Sequence, residues 1–214
     1  MSRLIVMAVG DSITVGTNST ALGGYRYGIY ENRNFQGFPY VSRGTTEAGN
    51  IGEKRMTGNS GERTDEVLAR LQADAHTFAP DVVLYHCGTN DCTQRNSGVA
   101  PPPTEAQSVQ YVMDTLDLFR AANPKMYVLV AYIIPNQNAG ADAQITSYNA
   151  ALRTAILLRS DYTAGYVVPV DMNAAFRANS TWSADYMGDA THPNAVGYSV
   201  MLSQWIAALN TLGF

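Results

Sequence analysis

The sequence predicts an α/β domain in which a doubly wound, mostly parallel sheet carries helices on both faces. Three observations predict it. Apolar runs of strand length recur along the chain mostly without polar alternation, as strands covered on both faces require. Segments with helical apolar spacing lie between those runs. Strand and helix therefore alternate, which implies right-handed β-α-β units. The 214 residues form one domain, 1–214, long enough to bury a sizeable core.

The elements follow in chain order. Leu4 to Val9 reads as the first strand; preceded by Arg3 it has the look of a signal peptide, but the apolar stretch is too short and no small-residue cleavage site precedes Gly10-Asp11. Phe38 to Ser42 is a weaker strand candidate. Val67, Leu68, Leu71 and Ala75 make a helical stripe ahead of a strand at Val82 to Cys87. Gly98 to Pro103, with its consecutive prolines, is a loop. A helix then runs from Glu105 to Ala122, with Val109, Val112, Met113, Leu116 and Phe119 on one face. Thr104 and Gln107 stand in the capping-box relation at its start, and Asn123-Pro124 stops it. Met126 to Ile134 is the next strand, Ile145, Tyr148, Leu152 and Ile156 mark the next helix, and Tyr166 to Val170 is the following strand. A last helix spans about Asn194 to Leu209.

Composition excludes several classes of function. Fourteen Lys and Arg against eighteen Asp and Glu give a net charge of −4, with no basic cluster for a phosphate backbone to bind, so no nucleic-acid partner is expected. The longest apolar run, Met126 to Ile134, is far below the roughly twenty residues that span a bilayer. Localisation stays open between the cytoplasm and export with a leader removed. Cys87 and Cys92 match no common zinc or redox spacing and read as two reduced thiols in or near the core, with a local disulfide as the alternative.

In a doubly wound sheet, ligands bind at the carboxyl ends of the strands, so chemistry is sought just beyond them. Ser12 follows the first strand in Gly10-Asp11-Ser12-Ile13-Thr14, its hydroxyl expected at the sheet edge beside backbone N–H groups. Gly88-Thr89-Asn90-Asp91 follows Val82 to Cys87, and the Asn90 amide can point into the same crevice. In Asp189-Ala190-Thr191-His192-Pro193 the carboxylate can sit beside His192 Nδ1, leaving Nε2 free to take a proton from a serine. The plainer reading is that Asp189 and Thr191 cap the last helix and Pro193 occupies its first turn. His76 reads as a surface residue near a helix end, and His86 as a hydrogen-bonded core residue. Asp11 and Asp91 read as turn-fixing acceptors. Tyr25, Tyr27, Tyr30 and Tyr40 offer aromatic faces for a sugar, although ordinary packing explains them as well. Gly49, Gly52, Gly58 and Gly61 lack the Gly-Lys-Ser/Thr ending of a phosphate loop.

Together the segments resemble the SGNH hydrolase superfamily of GDSL-type esterases, over nearly the whole chain and in the right order. Its four blocks stand here as Gly10-Asp11-Ser12, Gly61 within Gly58-Asn59-Ser60-Gly61, Gly88-Thr89-Asn90-Asp91, and Asp189-Ala190-Thr191-His192. Within it the sequence is most similar to carbohydrate esterase family three, the acetylxylan-esterase type, through the first block, Gly23-Gly24-Tyr25-Arg26 and Gly58-Asn59-Ser60-Gly61. Glu62 departs from that type, which commonly has an aromatic there, and Ile13 from the Leu usual in the superfamily. The resemblance implies a three-layer α/β/α sandwich around a central, mostly parallel sheet of about five strands, the flavodoxin-like SGNH fold. It implies Ser12 as nucleophile, His192 as general base then acid, Asp189 as its orienter, and an oxyanion hole from the Ser12 and Gly61 N–H groups and the Asn90 amide.

The expected activity is hydrolysis of short-chain acyl esters, most simply acetyl esters on carbohydrate, with no metal and no organic cofactor. Two alternatives remain: lipid, aryl or thioester acyl hydrolysis on the same scaffold, and a catalytically silent carbohydrate-binding domain. The Ser, Gly, Asn and Asp-His set favours an enzyme, since a binding module needs no base oriented by a carboxylate.

Overall fold

The computed structural model describes residues 4–19, 23–35, 40–49, 54–98 and 101–214. Arg3, Phe38, Pro39, Gly52 and residues 99–100 of the proline loop lie outside them. In the first strand, β1 (Leu4–Gly10), Val6 and Ala8 are buried in one core cluster and Met7 and Val9 in another, so the strand is covered on both sides. The chain continues through α1 (Ser12–Val15), α2 (Gly24–Phe35), β2 (Tyr40–Arg43), β3 (Thr46–Glu47), β4 (Arg55–Gly58), α3 (Thr64–Phe78), β5 (Val82–His86), α4 (Thr89–Ser97) and α5 (Glu105–Ala122). It ends with β6 (Tyr127–Tyr132), α6 (Ala139–Leu157), α7 (Ser160–Thr163), β7 (Val167–Asp171), α8 (Met172–Arg177), α9 (Trp182–Asp185) and α10 (Ala195–Thr211).

β1, β5, β6 and β7 run side by side and parallel. On the other side of β1, Leu4 to Met7 pair with β2, whereas Val9 and Gly10 pair with β4, again parallel. Two short strands thus share one flank, so the parallel part of the described sheet is five strands wide, six with β3 at its edge, and seven strands contribute. β3 adds an antiparallel edge to β4. Helices cover both faces, as expected. Val83, Tyr85, Val128 and Val130 pack with Leu71 of α3, Leu116 and Phe119 of α5 and Leu152 of α6. Leu84, Leu129 and Ala131 pack on the opposite face with Ile29 of α2, Phe176 of α8 and Trp205 of α10. Period-two alternation in the strands and one apolar stripe per helix explain both layers.

The helix ends match their local chemistry. Thr104 and Gln107 form the capping box of α5, and Asn123 closes it. Asn194, rather than Asp189 or Thr191, caps α10, its side chain accepting from the Val196 and Gly197 N–H groups. Pro193 therefore precedes the helix, and the Asp189 to His192 turn is left for other work. The polar segment after β5 is helical, its inner face formed by Thr89, Asp91 and Cys92. Cys87 and Cys92 are both buried and unbonded. No described helix is long and apolar enough to cross a membrane.

Candidate active site

Register brings three strand ends to one place. Gly10 lies opposite both Gly58 of β4 and His86 of β5. Ser12, Gly61 and Asn90 each follow one of these strands within a few residues, at the same edge of the sheet. Gly10 permits the approach: a Cβ there would lie 2.1 Å from the His86 carbonyl oxygen and 2.4 Å from Thr14 Oγ1.

Ser12 opens the single turn of α1 and is 7% exposed. Asp11 caps that turn, Oδ1 accepting from Ile13 N–H at 3.0 Å. Ser12 Oγ is 2.8 Å from His192 Nε2. On the other side of the ring, Nδ1 lies 2.9 Å from Asp189 Oδ2 and 3.0 Å from Oδ1. Asp189 Oδ1 also accepts from the backbone N–H groups of Thr191 at 2.8 Å and His192 at 2.7 Å. Partial burial pushes this carboxyl up, but those two N–H groups, the imidazole and the Asn18 amide outweigh it and hold its pKa at about 2. Asp189 is therefore ionised at neutral pH.

Distant segments hold the turn in place. Gly188 N–H donates to the His192 carbonyl at 2.8 Å, and Met187 bridges Pro193. After β6, Gln137 N–H donates to the Ala190 carbonyl at 2.9 Å and Asn136 Nδ2 to Thr191 Oγ1 at 3.2 Å. The polar Asn136-Gln137-Asn138 stretch is thus partly scaffold for the Asp189 to His192 turn.

Asn90, in the first turn of α4, donates its amide to the Glu62 carbonyl at 2.8 Å, which fixes its rotamer and leaves one amide hydrogen without an acceptor among the described residues. The Glu62 carboxylate is tied down separately by Arg70 and, at 2.8 Å, by Asn59 Nδ2. Glu62 therefore spends its charge on scaffold and its backbone oxygen on Asn90. Asp91 is buried and accepts from Thr64 N–H at 3.0 Å, Thr64 Oγ1 at 2.6 Å and Ser108 Oγ at 2.7 Å, joining α4 to the starts of α3 and α5. Arg26, 2% exposed, donates to the carbonyls of Thr14, Val15, Ala48 and Lys54 and so clamps the end of α1 to the β3–β4 region.

One buried group differs from its sequence reading, and a second keeps its reading with one oxygen left over. His86 is in the core, but both ring nitrogens lack a hydrogen-bond partner among the described residues, and burial lowers its pKa to about 4, so the ring is neutral. Asp11 is the expected acceptor, yet Oδ2 has no partner among the described residues. Burial pushes its carboxyl up to about 7, with Asp91 adding to the rise and the Ile13 N–H opposing it. Tyr25 is a core residue, its hydroxyl 2.9 Å from Thr14 Oγ1 and its ring 5.8 Å from Trp205, and it has no face for a sugar. Tyr27 is exposed, Tyr30 is half-buried, and the Tyr40 side chain is outside the described residues. His76 is exposed in the last turn of α3. No cluster of three or more His, Cys, Asp or Glu side chains suited to a metal occurs among the described residues.

Sequence reasoning missed the supports of the site: the Glu62 carbonyl, the Asn136 and Gln137 ties, the clamping role of Arg26, which it met only as part of a motif, and an Asn18 amide 2.8 Å from Asp189 Oδ2. None carries a local signal, because each pairing joins residues remote in sequence.

Comparison with known proteins places the fold and the family. A curated relative, a multidomain esterase of Ruminococcus flavefaciens, is 23% identical over 94% of this chain, which spans 28% of that protein's length. A family 3 carbohydrate esterase of Clostridium thermocellum superposes with a TM-score of 0.75 at 22% identity, covering 99% of both chains. One from Talaromyces cellulolyticus gives 0.79 at 24% identity over 98% of this chain and 97% of that one. These likenesses show the shared fold. Residues 8–200 match the GDSL-like lipase/acylhydrolase family, a span that includes all four blocks, and the chain belongs to that family.

Proposed function

We propose that this chain hydrolyses short-chain acyl esters, most simply acetyl esters of carbohydrate, with Ser12 as nucleophile. The observation that carries the reading is the unbroken relay from Ser12 Oγ through His192 Nε2 and Nδ1 to Asp189. A serine hydroxyl needs a base to take its proton during attack, and His192 is placed to do so. The ionised Asp189 fixes the tautomer with Nδ1 protonated and stabilises the imidazolium that follows. Negative charge developing on the carbonyl oxygen meets the N–H groups of Ser12 and Gly61 and the second Asn90 amide hydrogen. The ester C–O bond breaks, the alcohol leaves with the proton from His192, and water repeats the attack on the acyl-serine to release the acid. A silent binding domain would have no use for this relay.

The substrate reading rests on the polar sequence of the segments that follow β5 and β6, which include Gln94, Asn96 and Asn138 and offer no long apolar lid. A longer acyl chain gains about 0.8 kcal/mol per CH₂ only where an apolar groove receives it. kcat/KM should therefore fall steadily from acetyl through butyryl to octanoyl esters of one alcohol. An optimum at octanoyl would overturn the short-chain reading and favour lipid or thioester substrates. Acetate release from acetylated xylan and other acetylated polysaccharides tests the carbohydrate part.

A further inference from the structure

We infer that Asn18 is a positioning residue that holds the Asp189 carboxylate in register with the His192 ring. The inference rests on the triad proposed above and adds a member that the sequence motifs do not contain. The Asp189 side chain is 48% exposed, so packing does little to fix it. Oδ1 is held by the backbone N–H groups of Thr191 and His192. Oδ2, which lies closest to His192 Nδ1, has one further donor among the described residues, Asn18 Nδ2 at 2.8 Å. The χ2 torsion of an aspartate is broad, and without Asn18 the carboxylate plane is free to rock away from the ring.

The backbone around Asn18 is arranged for this contact. Asn18 has φ +66°, a left-handed conformation that asparagine tolerates better than most residues. Gly16 and Thr17 N–H both donate to the Ser12 carbonyl, Ser19 N–H donates to that of Gly16, and Tyr198 Oη anchors the Thr17 carbonyl at 2.8 Å. The segment that follows the nucleophile's turn is therefore the one that grips the acid, and both are referenced to the same backbone. Space is left for the amide as well: a Cβ on Gly188 would lie 2.9 Å from Asn18 Nδ2. The titratable groups facing this carboxylate are His192 on its own turn and Tyr198 on α10, whose hydroxyl burial keeps protonated.

Asn18→Gly removes the amide while accepting the left-handed backbone, and Asn18→Asp keeps the shape but replaces the donor with a repelling carboxylate. Asn18→Gly should lower kcat roughly tenfold, as loss of a partly exposed hydrogen bond to a charged group predicts, with KM and melting temperature unchanged. Asn18→Asp should lower kcat further. It should also move the acid limb of the pH–rate profile to higher pH, because added negative charge favours the imidazolium, a shift that a merely structural defect would not produce. Wild-type kcat in Asn18→Gly, or an unmoved acid limb in Asn18→Asp, would overturn the inference. Ser12→Ala in the same assay separates the failures: activity there sinks the triad itself, whereas an inactive Ser12→Ala beside a fully active Asn18→Gly sinks only the role of Asn18.

Discussion

Asp11→Asn should make the stability of this protein less dependent on pH. Asp11 is fully buried at the cap of α1, and its pKa is pushed from 3.8 to about 7, chiefly by burial. A carboxyl whose folded pKa is raised leaves the folded state unpenalised below the unfolded value. Stability is then lost progressively as pH climbs from 3.8, and the loss is complete above about 7. At about 1.4 kcal/mol per unit, the rise of about three units corresponds to roughly 4 kcal/mol between pH 4 and pH 8. Asparagine retains an oxygen to accept the Ile13 N–H, so the cap survives. Its amide replaces an oxygen that has no partner among the described residues, which adds a pH-independent cost of about 1–3 kcal/mol. Urea unfolding at a series of pH values reads the difference between variant and wild type directly. That difference should move in favour of the variant by about 3–4 kcal/mol from pH 4 to pH 7 and then level off. Asp189 does not interfere, because its depressed folded pKa of about 2 sets a loss of stability that occurs only as pH falls below 3.8. A difference constant from pH 4 to pH 8 would refute the placement of a desolvated carboxyl beside Ser12.

Other substitutions test separate parts of the site. Asn90→Ala should lower kcat by about 10²–10³ with little change in KM, since its amide is proposed to meet charge present only in the transition state; a rise in KM alone would contradict that role. Asp91→Ala leaves the Thr64 N–H, the Thr64 hydroxyl and the Ser108 hydroxyl without their buried acceptor, and urea unfolding should show a loss of about 3–5 kcal/mol. A loss under about 1 kcal/mol would mean that α4 is held by other contacts.

The long elements were legible because their signals are local. The stripe of α5, its Thr104–Gln107 box and its Asn123 stop all lie within a few turns of each other, the strands β1 and β6 are uninterrupted apolar runs, and β5 is one as far as His86. Helix α4 was not, since its buried face is made of Thr89, Asp91 and Cys92 rather than an apolar stripe. β3 and β4 are too short for any periodicity to register. Asp189 and His192 were readable as a pair because three residues separate them in one turn. Ser12 became a candidate only through its company at the sheet edge. The Asn18–Asp189 contact spans 171 positions, and nothing in either segment announces the other. That the His86 ring has no partner among the described residues was equally hidden, because partners are a property of packing.

Exposure of the protein to a paraoxon-type organophosphorus ester, followed by intact mass and peptide mapping, tests the central claim most directly. A single phosphoryl adduct on Ser12 is expected, formed in step with the loss of ester hydrolysis and greatly slowed in His192→Ala, because the hydroxyl reacts only when a base takes its proton. An adduct on a different residue that accompanies loss of activity, or full reactivity of Ser12 without His192, would contradict the account.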